Sequence, residues 1–390
     1  MLPSGGPIAV VGRGLIGAAA ARHLTLAGVE VTLIGPGEPA ERGSFEGPFS
    51  SHHDSGRITR IAASDPVWSE LGARALGRYS EIAAASDVDF YTGAGLVAAA
   101  PDAEHWVTHS AERGGEAEVL DADETRRRFG IAFAGGLPVA HESEPAGFID
   151  PRRLVAAQTE ATRRAGGSVI EAAATGLSRH GSGWRVEVDG ADPVVVHRVI
   201  VASGAFGSNL LARPLDLVRR PRTVVLAEIG PGPDLPSLVW IGCDHPALDA
   251  LDEVYWVPPT EYPDGRVLLK IGGKIRPEPI IDEADLPAWF QGDGDSAEAA
   301  ALQAALQVLL PDRQVTPVGQ LPCVYTGTPT GLPYIGEVDD GLAVAIGGNG
   351  SGAKSSDELG RLVADVSRLG RWNDPVLGSD LFAPRMGSDP

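Results

Sequence analysis

Cysteine is nearly absent: the 390 residues contain two, Cys243 and Cys323. Two thiols build no disulfide framework, which excludes the small cross-linked secreted scaffolds. Long apolar runs are also missing, and no stretch reaches the roughly 20 residues that span a bilayer. The N-terminal "MLPSGGPIAVVGRGLIGAAAARHL" lacks the basic start of a secretory signal, and Arg13 interrupts its apolar run. The chain is therefore expected to be cytoplasmic, with no membrane partner. Basic residues are scarce, 32 against 52 acidic ones, for a net charge of −20. That balance argues against nucleic acid, a polyanion, as a partner. No internal repeat or low-complexity segment is evident.

What is present begins with "PIAVVGRGLIGAAAARHLTLAGVEVTLIG". Residues 8–11 form an apolar run suited to a buried parallel strand. Gly12, Gly14 and Gly17 make a G-x-G-x-x-G turn, a helix follows over 18–27 with Gly28 as its C-cap, and "VEVTLI" is a second strand. A glycine turn between a strand and a helix lets backbone N–H groups meet a pyrophosphate at the positive helix end. The fingerprint normally closes its second strand with an acid that binds a ribose hydroxyl. Gly35 stands there, with Glu38 as a candidate substitute. The glycines alone do not separate FAD from NAD.

Further along, "DPVWSELGARALGRYSEIAAA" carries Val67, Leu71, Leu76, Tyr79 and Ile82 at helical spacing and predicts one amphipathic helix. "GFIDPRRLVAAQTEATRRAGG" predicts a helix with Asp150 as N-cap, Pro151 at its first position and Gly166 past its end. A strand over 198–201 runs into Ser203 and Gly204, small residues that admit a cofactor. Residues 224–318 change texture: "TVVLAEIG", "SLVWIG", "EVYWVPP" and "RVLLKIGGK" read as strands of an antiparallel sheet, followed by the helix "SAEAAALQAALQVLLPD". "GLAVAIGGNGSGAKSSDELGRLVADVSRLGRW" returns to strand, glycine turn and helix. Leu359, Leu362, Val363, Val366 and Leu369 share one face, and Ser355 and Glu358 have capping-box spacing. The tail after Trp372 reads as loosely held.

Taken together, the glycine fingerprint, "SSHHDSGRITR", "GFIDP", "VIVASGAF", "VLLKIGGK", "PCVYTGTPTGLPYIG" and "GGNGSGAKSS" resemble, in order and spacing, the monomeric sarcosine oxidase family of flavoenzymes within the D-amino acid oxidase group. The resemblance implies an α/β fold with a discontinuous, Rossmann-like FAD-binding domain (1–90, 145–222 and 320–390). It also implies a substrate domain on a mainly antiparallel sheet (91–144 and 223–319). It implies FAD carried covalently by Cys323 through a thioether, with Tyr325 two residues on. Lys270 matches the lysine that promotes reaction with oxygen; its apolar neighbours argue against a surface strand. Arg57 matches a flavin-facing arginine, His53 a histidine beneath the flavin, and Tyr255 a tyrosine on the substrate side. Arg60 and Lys354 match a clamp for the substrate carboxylate. Ser51, Ser203, Gly204, Gly350 and Gly352 fall in the cofactor-binding stretches. No metal is implied.

The sequence also departs from the family pattern. Ser351 and Ala353 stand where His and Phe are common, and Lys274 replaces a histidine. A substrate larger than sarcosine is expected. The expected activity is oxidation of a carboxylate-bearing secondary or cyclic amine by a monomeric covalent-FAD enzyme, with O2 reduced to H2O2. The alternatives are a D-amino acid or glycine oxidase, a dehydrogenase with another electron acceptor, or a non-enzymatic flavin- or NAD-binding regulator.

Overall fold

Ile8–Val11 turns alternate side chains to opposite faces of a six-stranded sheet, and both faces are covered. Ile8 and Val10 pack with Ala18, Ala21 and Leu24 of the helix that follows; Ala9 and Val11 pack with Trp184, Val186 and Val188. A strand buried on both faces reads as a continuous apolar run, which is why this one was legible. The computed structural model describes residues 6–387. In the sheet, Ile8–Val11 lies between Val31–Ile34 and Arg198–Val201, with Ser168–Ile170 and Leu342–Ile346 further out, all parallel. Tyr334–Asp339 adds an antiparallel edge. Helices Leu15–Leu26, Pro151–Arg164 and Ser356–Leu369 pack together over one face. A three-stranded meander over 174–196 covers the other.

The second large sheet has eight strands and is antiparallel except where Ser237–Ile241 pairs with Leu96–Ala99. Its strands Val218–Ile229 and Val315–Gly327 run through the sequence positions 222/223 and 319/320 where a domain crossing was expected. Helix Ser296–Leu309 covers one face, burying Val254, Trp256, Leu269 and Ile271 against Leu302 and Leu306. By the period of two, Glu253, Tyr255, Lys270 and Gly272 face the other way. Among the described residues no helix is long and apolar enough to cross a membrane.

Several local expectations change. The segment expected as one helix is two, Pro66–Leu76 and Tyr79–Ser86. The break at Gly77–Arg78 lets Arg78 turn to Asp357 and Glu358 (both 2.5 Å). Ser355 caps no N–H, and Glu358 is drawn to Arg78, Arg361 and Arg74 instead of back to the helix start. Leu369 is exposed, unlike the other four apolar residues of its helix face. The described part of the tail, as far as residue 387, is docked: Leu377 and Phe382 are fully buried, and Trp372 Nε1 donates to Leu377 O at 2.5 Å.

Asp357, fully buried, ties four helices together. It accepts from Arg22 (2.9 Å), Arg78 (2.5 Å) and Gln158 (2.8 Å), with His23 at 3.2 Å. Burial works to raise its pKa, but His23, Arg22 and Arg78 hold it well below the ordinary 3.8. A depressed carboxylate stabilises the fold above its unfolded pKa, and that contribution fades as pH falls through the acid range. Asp357→Asn leaves buried cations short of a partner and is expected to cost about 3–5 kcal/mol in chemical denaturation at pH 7. The deficit relative to wild type should shrink below pH 4.

Candidate active site

The glycine turn opens a cleft of about 1230 Å³ that runs between the two sheets. Gly12 has φ +112°, and a Cβ there would sit 2.4 Å from the Ala202 carbonyl oxygen, so a side chain is excluded twice over. Helix Leu15–Leu26 starts at Gly14 with no side-chain cap and no acidic residue in its first turn. Its free N–H groups and positive dipole end therefore point at whatever anion enters the cleft. This is a cradle that fits a dinucleotide pyrophosphate.

The missing acid at residue 35 has a steric reason. A Cβ at Gly35 would lie 2.4 Å from Arg13 N, and the Arg13 side chain donates to Gly35 O at 3.1 Å. Glu38 does not replace it: its carboxylate is forked onto Arg152 (2.6 and 2.7 Å) and does not line the cleft.

At the other end of the cleft the eight-stranded sheet forms the floor. Cys323 lies opposite Arg222 in the neighbouring strand, and Arg57 Nη2 stands 3.9 Å from its sulfur. Tyr255 lies over Gly272, where an added Cβ would meet the phenol oxygen at 2.5 Å. Burial, and next the neighbouring Cys323 sulfur, push that phenol well above its usual pKa, so it is neutral. Arg60 stacks on Trp106 (4.4 Å to the ring centroid) and donates to Ala62 O. Burial pulls its pKa down to about 10, with Glu142 and Glu253 opposing. Lys354, 3% exposed, donates to Trp68 O at 2.7 Å. Burial, then Arg60, pull it well toward neutrality, against Glu142.

Of the residues singled out by sequence, Gly12, Gly14, Ser51, Arg57, Arg60, Ser203, Gly204, Tyr255, Cys323, Gly350, Gly352 and Lys354 line this one cleft, as do Lys274, Ser351 and Ala353. Gly17, His53 and Lys270, like Glu38, do not. Gly17 is buried inside the helix it opens. His53 faces a small space beside the cleft, with Arg57 and Cys323 on the wall between them, and meets Phe49 edge-on at 4.8 Å, while the adjacent His52 lines the cleft itself. Burial lowers both imidazoles, His53 to about 4, so both are neutral at pH 7. Lys270 is fully buried beneath residues 54–57, with Nζ donating to Asp54 (2.6 Å) and to Gly56 O. Cys243, by contrast, is a buried thiol that donates to Trp240 O at 3.5 Å and does not line the cleft; burial, and next the Glu253 carboxylate, push it up to about 12.

Two carboxylates escaped the sequence reading. Asp54 joins Lys270 to Arg57, and so links the buried lysine to the guanidinium beside Cys323. Its only local signal is the i, i+3 spacing to Arg57. Glu142, fully buried, accepts from Ile61 N, Ala62 N and Ser110 Oγ (3.2, 3.1 and 2.6 Å). It positions the segment bearing Arg60, and its charge reaches both Arg60 and Lys354. Two such cations alone would repel each other; Glu142 supplies an opposing charge to both.

Floor, glycine cradle and the Arg60–Lys354 pair share one cleft, whose glycine end fits a dinucleotide. The comparisons agree: residues 7–366 match the FAD dependent oxidoreductase family, and the chain belongs to it. It is an FAD-dependent oxidoreductase. The chain is 26% identical to a monomeric sarcosine oxidase of Streptomyces avermitilis, over 97% of each chain. Its fold is similar to that of NikD, described as an unusual amino acid oxidase essential for nikkomycin biosynthesis (TM-score 0.78, 18% identity, 98% of each chain). It is also similar to that of iminodiacetate oxidase from Chelativorans sp. BNC1 (TM-score 0.70, 18% identity, 97% and 99% of the two chains).

Proposed function

We propose that the protein is a monomeric, cytoplasmic covalent-FAD amine oxidase. It takes a carboxylate-bearing secondary or cyclic amine to the imine, with O2 reduced to H2O2. The observation that carries this reading is a shared cleft: the glycine cradle, Cys323 and the Arg60–Lys354 pair all line it. FAD supplies the two-electron oxidant that accepts hydride from a carbon next to the amine nitrogen. Cys323 anchors it, and Arg57 places a cation beside the anchoring sulfur. Arg60 and Lys354 hold the substrate carboxylate, Arg as a planar fork and Lys as a point charge. Tyr255 and Trp106 wall the substrate space, so orientation does most of the work. The imine is released to hydrolyse in water. A second reading, a dehydrogenase using another electron acceptor, draws on Lys270 being tied to Asp54 outside the cleft.

A peroxide assay over N-alkyl and cyclic amino acids, paired with their amides, tests the reading. Arg60→Met and Lys354→Met should each lower the acid-to-amide ratio of kcat/KM by about 2–5 kcal/mol, the range for truncating one partner of a desolvated charge pair. An unchanged ratio in both variants means that neither residue reads the carboxylate. Reduction of the enzyme by substrate without peroxide formation in air would favour the dehydrogenase.

A further inference from the structure

Glu253 is a carboxylate in the substrate end of the cleft that the proposed chemistry leaves unused. It stands two residues before Tyr255 on the strand Leu251–Glu261, opposite Ile241 on one side and Lys274 on the other. It lines the cleft and is only partly exposed. Three cations influence it, and each has another partner. Arg60 donates to Ala62 O and stacks on Trp106. Lys274 pairs with Asp252 at 3.6 Å, and Arg222 pairs with Glu278. Among the described residues none donates a hydrogen bond to the Glu253 carboxylate or forms an ion pair with it. Burial correspondingly pushes its pKa up, opposed by Arg60, Lys274 and Arg222. A carboxylate withdrawn from water and lacking a donor is unfavourable, and a ligand that brings a donor relieves it.

We propose that Glu253 reads a second nitrogen of the substrate, a protonated amine or guanidine on its side chain, so that the preferred substrate is a basic N-alkyl or cyclic amino acid. The inference rests on the amine-oxidase reading above and names its substrate class. The substrate lies with its carboxylate on Arg60 and Lys354, and its side chain runs along the sheet toward Glu253. Ser351 and Ala353, small residues on the cleft wall, leave room for it.

The test uses the FAD-loaded full chain and matched substrates, Nα-methyl-lysine and Nα-methyl-norleucine, which differ by a terminal ammonium. Wild type should favour the lysine derivative by about 10- to 100-fold in kcat/KM, as for one hydrogen bond to a charged group. Glu253→Gln should bring that ratio close to 1, and Glu253→Lys should invert it. Binding provides a readout independent of turnover: 6-aminohexanoate should perturb the flavin absorbance at lower concentration than hexanoate in wild type, and lose that advantage in Glu253→Gln. Equal handling of the two substrates by wild type overturns the inference and leaves the oxidase reading intact. A ratio unchanged by Glu253→Gln, as when Glu253 acts on the reacting amine common to both, also overturns it. If wild type oxidises neither amine and binds neither acid, the oxidase reading fails and this inference falls with it.

Discussion

Lys270→Met enzyme, reduced anaerobically and then mixed with oxygen, should reoxidise on the order of 100-fold more slowly than wild type, the effect of losing one well-placed electrostatic group. Its reduction by substrate should change far less. The expectation comes from where the charge sits. Lys270 is fully buried, with two of its three N–H groups taken by Asp54 and Gly56 O. Burial, and next the Arg57 guanidinium, pull the ammonium toward neutrality, while the Asp54 carboxylate stands 2.6 Å from Nζ as its counter-ion. A cation kept in a low-dielectric place acts strongly on negative charge developing on oxygen nearby. Asp54 retains Arg57 as a partner in the variant, so the segment it anchors stays paired. Stopped-flow measurement of the two half-reactions separates the effects. An unchanged oxygen rate would remove Lys270 from that step and strengthen the dehydrogenase reading.

Cys323→Ser should abolish covalent flavin altogether. Precipitated with acid, the wild-type pellet should stay yellow while the variant releases its colour to the supernatant or carries none from the start. Serine keeps the size of the side chain and the strand pairing with Arg222, so the comparison isolates the sulfur. Trp289 still donates to the residue 323 carbonyl (2.9 Å in wild type), which holds the backbone in place. A wild-type pellet that loses its colour would rule out the link, and Arg57 would then serve the cofactor only as a nearby cation.

Much of the fold was open to local reading because local chemistry dictates it. The first strand, buried on both faces, had to be an uninterrupted apolar run. Asp150 accepts from Arg153 N and Pro151 starts the helix, as their types require. Lys270 between apolar neighbours had to be buried, and it is. The single helix expected within 65–85 is broken at Gly77, the C-cap of the first half, and Arg78 beside it pairs with Asp357, a partner that no window of the sequence contains. The loosely held tail failed in the same way: Asp374 is pinned by Arg74, 300 residues earlier.

The sequence by itself determined most of the elements, the glycine cradle, and the strands that carry Lys270 and Tyr255; the strand Val315–Gly327 that carries Cys323 was hidden in a run rich in turn residues. The legible features are consequences of backbone propensity and of side-chain period within a few residues. Only the tertiary structure decided that His52 lines the cleft while His53 faces a smaller space beside it, that Asp54 joins Lys270 to Arg57, and that the charges of Glu142 and Glu253 reach Arg60. Each depends on strand register and on segments that meet across up to 216 residues of chain. A one-residue change of register would turn each strand's cleft-facing side chains into the core, so the partners of these charges are set by packing and not by their neighbours in sequence.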